Sequence, residues 1–165
     1  MKKLFVTLCA AVLLAGCASG TSSQSKEDKT LTIGASVTPH AEILNHIKPV
    51  LEEKGYSVDI KQFTDYNRPN VSLADGSLDA NYFQHKPYLE EWMSDAKKEG
   101  ELTSVFAVHF EPLGIYSVKH KDLNVKEKAV IGIPNDPTNG GRALKLLEAN
   151  GIIKLTEGKG IDATI

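Results

Sequence analysis

A chain of 165 residues, 41% hydrophobic and 24% charged, is long enough to bury one ordinary core or two small lobes, and its formal charge of −2 argues against a nucleic-acid partner. Both cysteines, Cys9 and Cys17, lie near the N-terminus. No disulfide can therefore brace the remainder, whose stability has to come from apolar burial.

The chain opens on Lys2 and Lys3, continues as an apolar run from Leu4 to Ala15 and closes that run on Leu14-Ala15-Gly16-Cys17. A basic start before so short an apolar stretch is the pattern of a signal peptide over residues 1–16, too short for a spanning helix of about 20 residues. The tetrapeptide resembles a bacterial lipobox, which implies cleavage before Cys17 and acylation of its thiol. The product would be held at the extracytoplasmic face of a cell membrane, or at an outer membrane where the cell has one. Ser19 to Lys29 is polar and free of aromatics, so residues 17–30 read as a lipidated cysteine and a flexible tether. Without Lys2 and Lys3 the count is 17 basic against 21 acidic residues, a net charge of −4.

The body alternates strand and helix patterns. Leu31–Val37 reads as a strand, and Thr38-Pro39 as an N-cap followed by proline at the first helical position. Ile43, Leu44, Ile47, Val50 and Leu51 fall on one face of a helix running to Lys54, with Gly55 placed for a left-handed cap. Tyr56, Val58 and Ile60 alternate with polar residues as the next strand. A short helix is expected over Asn70–Ala74, a strand over Leu78–Phe83 and a helix over His85–Lys98. Strands are then expected over Leu102–Phe110, Leu113–Val118 and Ala129–Ile133, and a last helix, capped by Thr138 or Asn139, ends near Asn150-Gly151. The pattern predicts an α/β fold of mostly parallel strands, with a first lobe over residues 31–110 and a partial second lobe over 111–165.

Enzyme signatures such as G-x-S-x-G, H-E-x-x-H and the phosphate-binding glycine loops are missing, and no catalytic residue or cofactor is expected. The five histidines do not suggest a metal site. His40 and His46 are six apart and face different ways on a helix, while His85, His109 and His120 fall on separate elements with no acidic or cysteine partner at ligand spacing. Two segments carry more. Asp79 to Tyr88 (DANYFQHKPY) runs from a strand end into a helix start with three aromatics and a histidine, as crevice-lining residues of an open α/β sheet do; the same residues also fit an aromatic core with a capping histidine. Ile133 to Leu144 (IPNDPTNGGRAL) leads a strand into a helix with Asn139, two glycines and Arg142 in its first turn. Free N–H groups there attract an anion, and the arginine can clamp a carboxylate; the alternative is a capped surface helix with a solvated arginine.

The strings DANYFQHKPYLE (Asp79–Glu90) and IPNDPTNGGRALKLLEANGIIKL (Ile133–Leu155), with TIGASVTPHAEIL near the start and FTDYNRPN at Phe63–Asn70, closely resemble the NlpA/MetQ family of methionine-binding lipoproteins. The resemblance implies a periplasmic-binding-protein fold, two α/β lobes around a cleft, in a lipid-anchored solute-binding protein. Such a protein captures L- or D-methionine and hands it to a membrane permease with a cytoplasmic ATPase. It also implies that Arg142 and Asn139 hold the α-carboxylate, and that Tyr66, Tyr82, Phe83 and His85 wall the pocket for the thioether. A methionine-containing dipeptide or a metal ion as cargo are the alternatives within this fold. Family members continue past the position of Ile165, where this chain stops after Gly158-Lys159-Gly160 without a closing strand or helix. The expectation is a truncated chain, either a non-functional fragment or one binding weakly, with an incomplete second sheet.

Overall fold

Parallel strands need a crossover to join them, and the first two helical patterns supply it. The computed structural model describes residues 29–95 and 101–165. The signal peptide, Cys17, all but the last two residues of the tether and the distal end of the His85–Lys98 helix lie outside the described residues. Strand β1 (Thr30–Ser36) leads into a wide helical turn, Val37–Ala41, and helix α1 (Glu42–Glu53). Then come β2 (Ser57–Phe63), α2 (Arg68–Ala74), β3 (Ala80–Tyr82) and α3 (Lys86–Ser94). From residue 101 the described residues run without strands or helices up to α4 (Pro137–Ala149), which is followed by a 3-10 turn at Gly160–Asp162.

The sheet has the order β2-β1-β3, all parallel. Thr30 pairs with Ser57 and Ser36 with Phe63 on one side, while Ile33 pairs with Ala80 and Ala35 with Tyr82 on the other. Two small cores form. Ala35, Ala41 and Leu44 pack with Ile33, Ile60 and Tyr82, and Phe83, Tyr88 and Trp92 pack with Val71, Ala74 and Leu102. Adjacent strand residues point to opposite faces, so Tyr82 joins the first core and Phe83 the second.

Local chemistry accounts for the element ends. Gly55 has φ +85°, and the N–H groups of Gly55 and Tyr56 close onto the carbonyls of Glu52 and Leu51, the double closure of a Schellman cap. Gly151 and Ile152 repeat it on Glu148 and Leu147 at the end of α4. At the start of α2 the Asp65 carboxylate accepts the N–H groups of Asn67 (2.9 Å) and Arg68 (2.7 Å), so the helix begins two residues earlier than expected. Strand β3 is shorter than expected because the Asp79 carboxylate accepts the Thr32 N–H (2.7 Å) where a backbone carbonyl would continue the ladder.

Four expectations need correction. Thr38 has the extended backbone of a cap (φ −133°, ψ 134°), but its hydroxyl donates to the Glu42 carboxylate (2.7 Å), and the regular helix starts only at Glu42, with Ala41 at the cap position. The α1 stripe is only partly inside, with Leu44 buried but Ile47 and Val50 39% and 53% exposed, because α1 rests on β2 and the turn before it. The helix α4 is capped by Asp136, in place of Thr138 or Asn139, because Pro137 takes the first helical position and needs no N–H partner. The strands expected over Leu102–Phe110, Leu113–Val118 and Ala129–Ile133 do not form; no neighbouring strand among the described residues offers them a ladder. No helix of the described residues is long and apolar enough to cross a membrane.

Candidate binding site

In a sheet of order β2-β1-β3 the chain passes from β1 to β2 on one side and then crosses to β3 on the other, and the crevice at the carboxyl ends of β1 and β3 is where such folds bind ligands. The residues just past those ends are His40, after β1, and Phe83 and His85, after β3. Tyr66 follows β2.

Tyr66 stacks edge-on against Phe83 (centroids 5.0 Å apart) and Tyr88 (4.7 Å), and the Tyr88 hydroxyl donates to the Tyr66 carbonyl (3.2 Å). Burial pushes the Tyr88 hydroxyl up to about 12. Burial likewise raises Tyr66, against a hydrogen bond from the Asn139 side chain that lowers it. That contact brings the aromatic cluster to the start of α4. Arg142 donates from Nη1 to the Asn139 side-chain carbonyl (2.8 Å) and from Nη2 to the Glu111 backbone carbonyl (3.0 Å). A guanidinium carries five N–H donors in a planar fork, so the two anchoring bonds fix its plane and leave donors for a carboxylate.

His85 caps the start of α3 and faces Arg142. Burial lowers its pKa, and the positive Arg142 lowers it further against the opposing Asp136, so protonation of the imidazole is disfavoured. Its Nε2 is buried without a hydrogen-bond partner among the described residues, the only such side-chain atom among them. A cavity of about 410 Å³ opens between α3, the start of α4 and Ile161–Thr164, with His85, Thr138 and Arg142 on its wall. Its size falls in the range of small-molecule sites, roughly 300–1,000 Å³.

The structure thus brings Tyr66, Phe83, His85, Asn139 and Arg142 together. Tyr82 lies elsewhere: it faces the other side of the sheet, its ring edge-on to His40 (4.6 Å) and its hydroxyl bonded to His109 Nδ1 (2.5 Å). The helix start also differs from the expected anion cradle. Asp136 Oδ1 already accepts the Asn139 N–H (2.8 Å) and the Thr138 hydroxyl (2.9 Å), its Oδ2 accepts from Asn139 Nδ2 (3.1 Å), and its backbone carbonyl accepts the Gly140 N–H (2.8 Å). The Asn139 and Gly140 N–H groups are thus already occupied, and the Arg142 side chain is the group in this turn with donors left over after its two bonds.

Sequence reasoning passed over Tyr88, which stood inside the motif at Asp79–Tyr88, and Asp136, whose place directly before a proline is a cap signal. It also passed over a partly buried amide trio. Asn70, fully buried, donates to Gln84 Oε1 (2.8 Å) and accepts from Gln84 Nε2 (2.7 Å) and Asn81 Nδ2 (2.9 Å), tying α2 to the strand end that carries Phe83 and His85. Nothing in the local sequence marks those three amides as partners. The separation of the histidines is corrected as well: Glu111 Oε1 lies 2.7 Å from His109 Nε2 and 3.6 Å from His40 Nε2.

Residues 31–165 match the NlpA lipoprotein family. The chain is 42% identical over 170 residues to the methionine-binding lipoprotein MetQ of Bacillus subtilis, covering 100% of this chain and 61% of that protein. It is 34% identical to the D-methionine-binding lipoprotein MetQ of Escherichia coli, covering 96% of this chain and 57% of that protein. Among solved structures, a nutrient-binding protein from Burkholderia cenocepacia bound to methionine superposes with a TM-score of 0.75 at 36% identity, covering 82% of this chain and 57% of that one. The chain thus spans about three-fifths of the length of the relatives it matches.

Proposed function

The chain belongs to the NlpA lipoprotein family, and from that membership and the site's geometry we propose that it is a solute-binding lipoprotein for methionine, with L- or D-methionine as cargo handed to an ABC importer. The observation that carries this reading is the Arg142 guanidinium, braced by Asn139 and the Glu111 carbonyl beside the Tyr66–Phe83–Tyr88 cluster. An amino acid presents a carboxylate for a planar fork, and a thioether packs well on aromatic edges, each contact being worth about 0.3–1.5 kcal/mol. The half-buried His85, whose pKa is lowered, adds an inaccessible Nε2 without a hydrogen-bond partner among the described residues on the same wall. No nucleophile or general base is needed for capture and release, so the role is binding and not catalysis. Residues 17–30 would tether the protein through Cys17 at the extracytoplasmic face, near its permease.

Calorimetric titration of L- and D-methionine into the protein tests this. Saturable binding is expected, weakened at least tenfold by Arg142→Ala. Equal binding by the two proteins would remove Arg142 from the carboxylate, and no saturable heat at millimolar methionine would overturn the methionine reading.

A further inference from the structure

On the opposite face of β3 from the aromatic cluster, three side chains converge that the proposed binding function does not use. His40, from the turn after β1, is buried, while His109 and Glu111 come from the segment after α3 and are accessible. One donor atom from each lies within 4.8 Å of the others. Glu111 Oε1 is 3.6 Å from His40 Nε2 and 2.7 Å from His109 Nε2. Ligand atoms around a tetrahedral metal with bonds of about 2.0–2.1 Å sit roughly 3.3 Å apart, so the two Glu111 contacts need shifts well under 1 Å, and the third separation, between the two imidazoles, lies within 4.8 Å.

The outer contacts are those of metal ligands. Each ligating imidazole in a metal site normally ties its other ring nitrogen to a fixed partner, which sets the tautomer and the ring orientation. Here His40 Nδ1 is bonded to Ser36 Oγ (2.6 Å) and His109 Nδ1 to the Tyr82 hydroxyl (2.5 Å), so both Nε2 atoms are turned toward Glu111. The His40 ring is further held by Tyr82, edge-on at 4.6 Å. We propose that His40 Nε2, His109 Nε2 and Glu111 Oε1 form a binding site for a divalent first-row transition metal, Zn²⁺ being the best match to two imidazoles and one carboxylate. The accessible side of His109 and Glu111 leaves the remaining coordination to water. Such an ion would staple the end of β1 to the segment carrying Glu111, whose backbone carbonyl braces Arg142. Metal occupancy would thereby steady the carboxylate clamp without touching its ligand.

The probe is Co²⁺, titrated into the full chain purified without a histidine tag and followed by its visible ligand-field absorption, with Zn²⁺ displacing it. One equivalent is expected. His109→Ala and Glu111→Gln should abolish the saturable signal, and Tyr82→Phe and Ser36→Ala should weaken it about 10–100-fold, as removal of an outer partner does. Replacement of the remote, exposed His120 by alanine should leave it unchanged. Far-ultraviolet circular dichroism identifies any variant that has lost its fold; His109 and Glu111 are surface residues, so their variants keep the test decisive where His40→Ala fails to fold. Absence of a saturable signal, or a signal that survives both His109→Ala and Glu111→Gln, overturns the site and leaves a hydrogen-bonded His–Glu–His cluster. Methionine titration on the same samples reads the other site separately.

Discussion

His85 illustrates how one side chain couples the site to stability. Its pKa is lowered in the folded protein by burial and by Arg142, against the opposing Asp136, relative to the ordinary value of 6.5. A depressed histidine pKa means that the unfolded chain binds the proton first, so its contribution is complete above about pH 6.5 and is lost as the pH falls through the folded value. The urea midpoint, read from the fluorescence of the single tryptophan, Trp92, should therefore fall on acidification across that region. The drop should be smaller in His85→Gln, which cannot titrate. A pH dependence identical in the two proteins would place the titration elsewhere. Arg142 is the complementary case, since its charge is permanent and only its direction is adjustable; Asn139 and the Glu111 carbonyl supply that direction.

At the scale of the element, α4 is the piece on which the site depends, and its first turn has little room. A Cβ on Gly141 would come within 1.9 Å of the Ile161 carbonyl oxygen, whereas one on Gly140 would meet the Pro134 carbonyl at 3.1 Å. The turn at Gly160–Asp162 thus lies directly on the helix backbone, where no side chain fits. Gly141→Ala should cost about 1–3 kcal/mol, the usual penalty of overpacking, and Gly140→Ala distinctly less. Denaturant titration of the two variants checks this, and equal midpoints would mean that the Gly160–Asp162 turn does not bear on α4. The amide trio of Asn70, Asn81 and Gln84 acts similarly on the other side of the crevice, fixing the residues after β3 through bonds whose loss would strand the fully buried Asn70 amide.

At the scale of the molecule, the stretch between α3 and α4 stands out for what it leaves in solvent. Val105, Phe106, Phe110, Tyr116, Val118 and Val130 are 81%, 74%, 83%, 89%, 102% and 99% exposed, residues of strand-forming type with no ladder among the described residues. Apolar surface of that extent binds hydrophobic dyes and drives self-association. The protein should enhance the fluorescence of anilinonaphthalene sulfonate and show concentration-dependent association in sedimentation. Both effects should fall when Phe106 and Val118 are replaced by lysine, and a dye-silent, monomeric protein would show that this surface is covered in solution.

Much of this was legible in the residues. The βαβ opening follows from alternation, from helical spacing and from Gly55, and the end of α4 from Gly151, all of them local rules, and the long motifs at Asp79–Glu90 and Ile133–Leu155 carry the family. What the residues alone left undecided is non-local. Whether Leu102–Phe110 becomes a strand depends on a neighbour far along the chain, and a strand-like pattern without a partner stays open. Alternation puts Tyr82 and Phe83 on opposite faces, against the expectation that both wall one pocket, and does not say which face carries the aromatic cluster. The meeting of His40 with His109 and Glu111 spans some seventy residues and appears only once β1 and β3 lie side by side. Local periodicity and capping set the elements; the pairing of the strands decided which side chains meet.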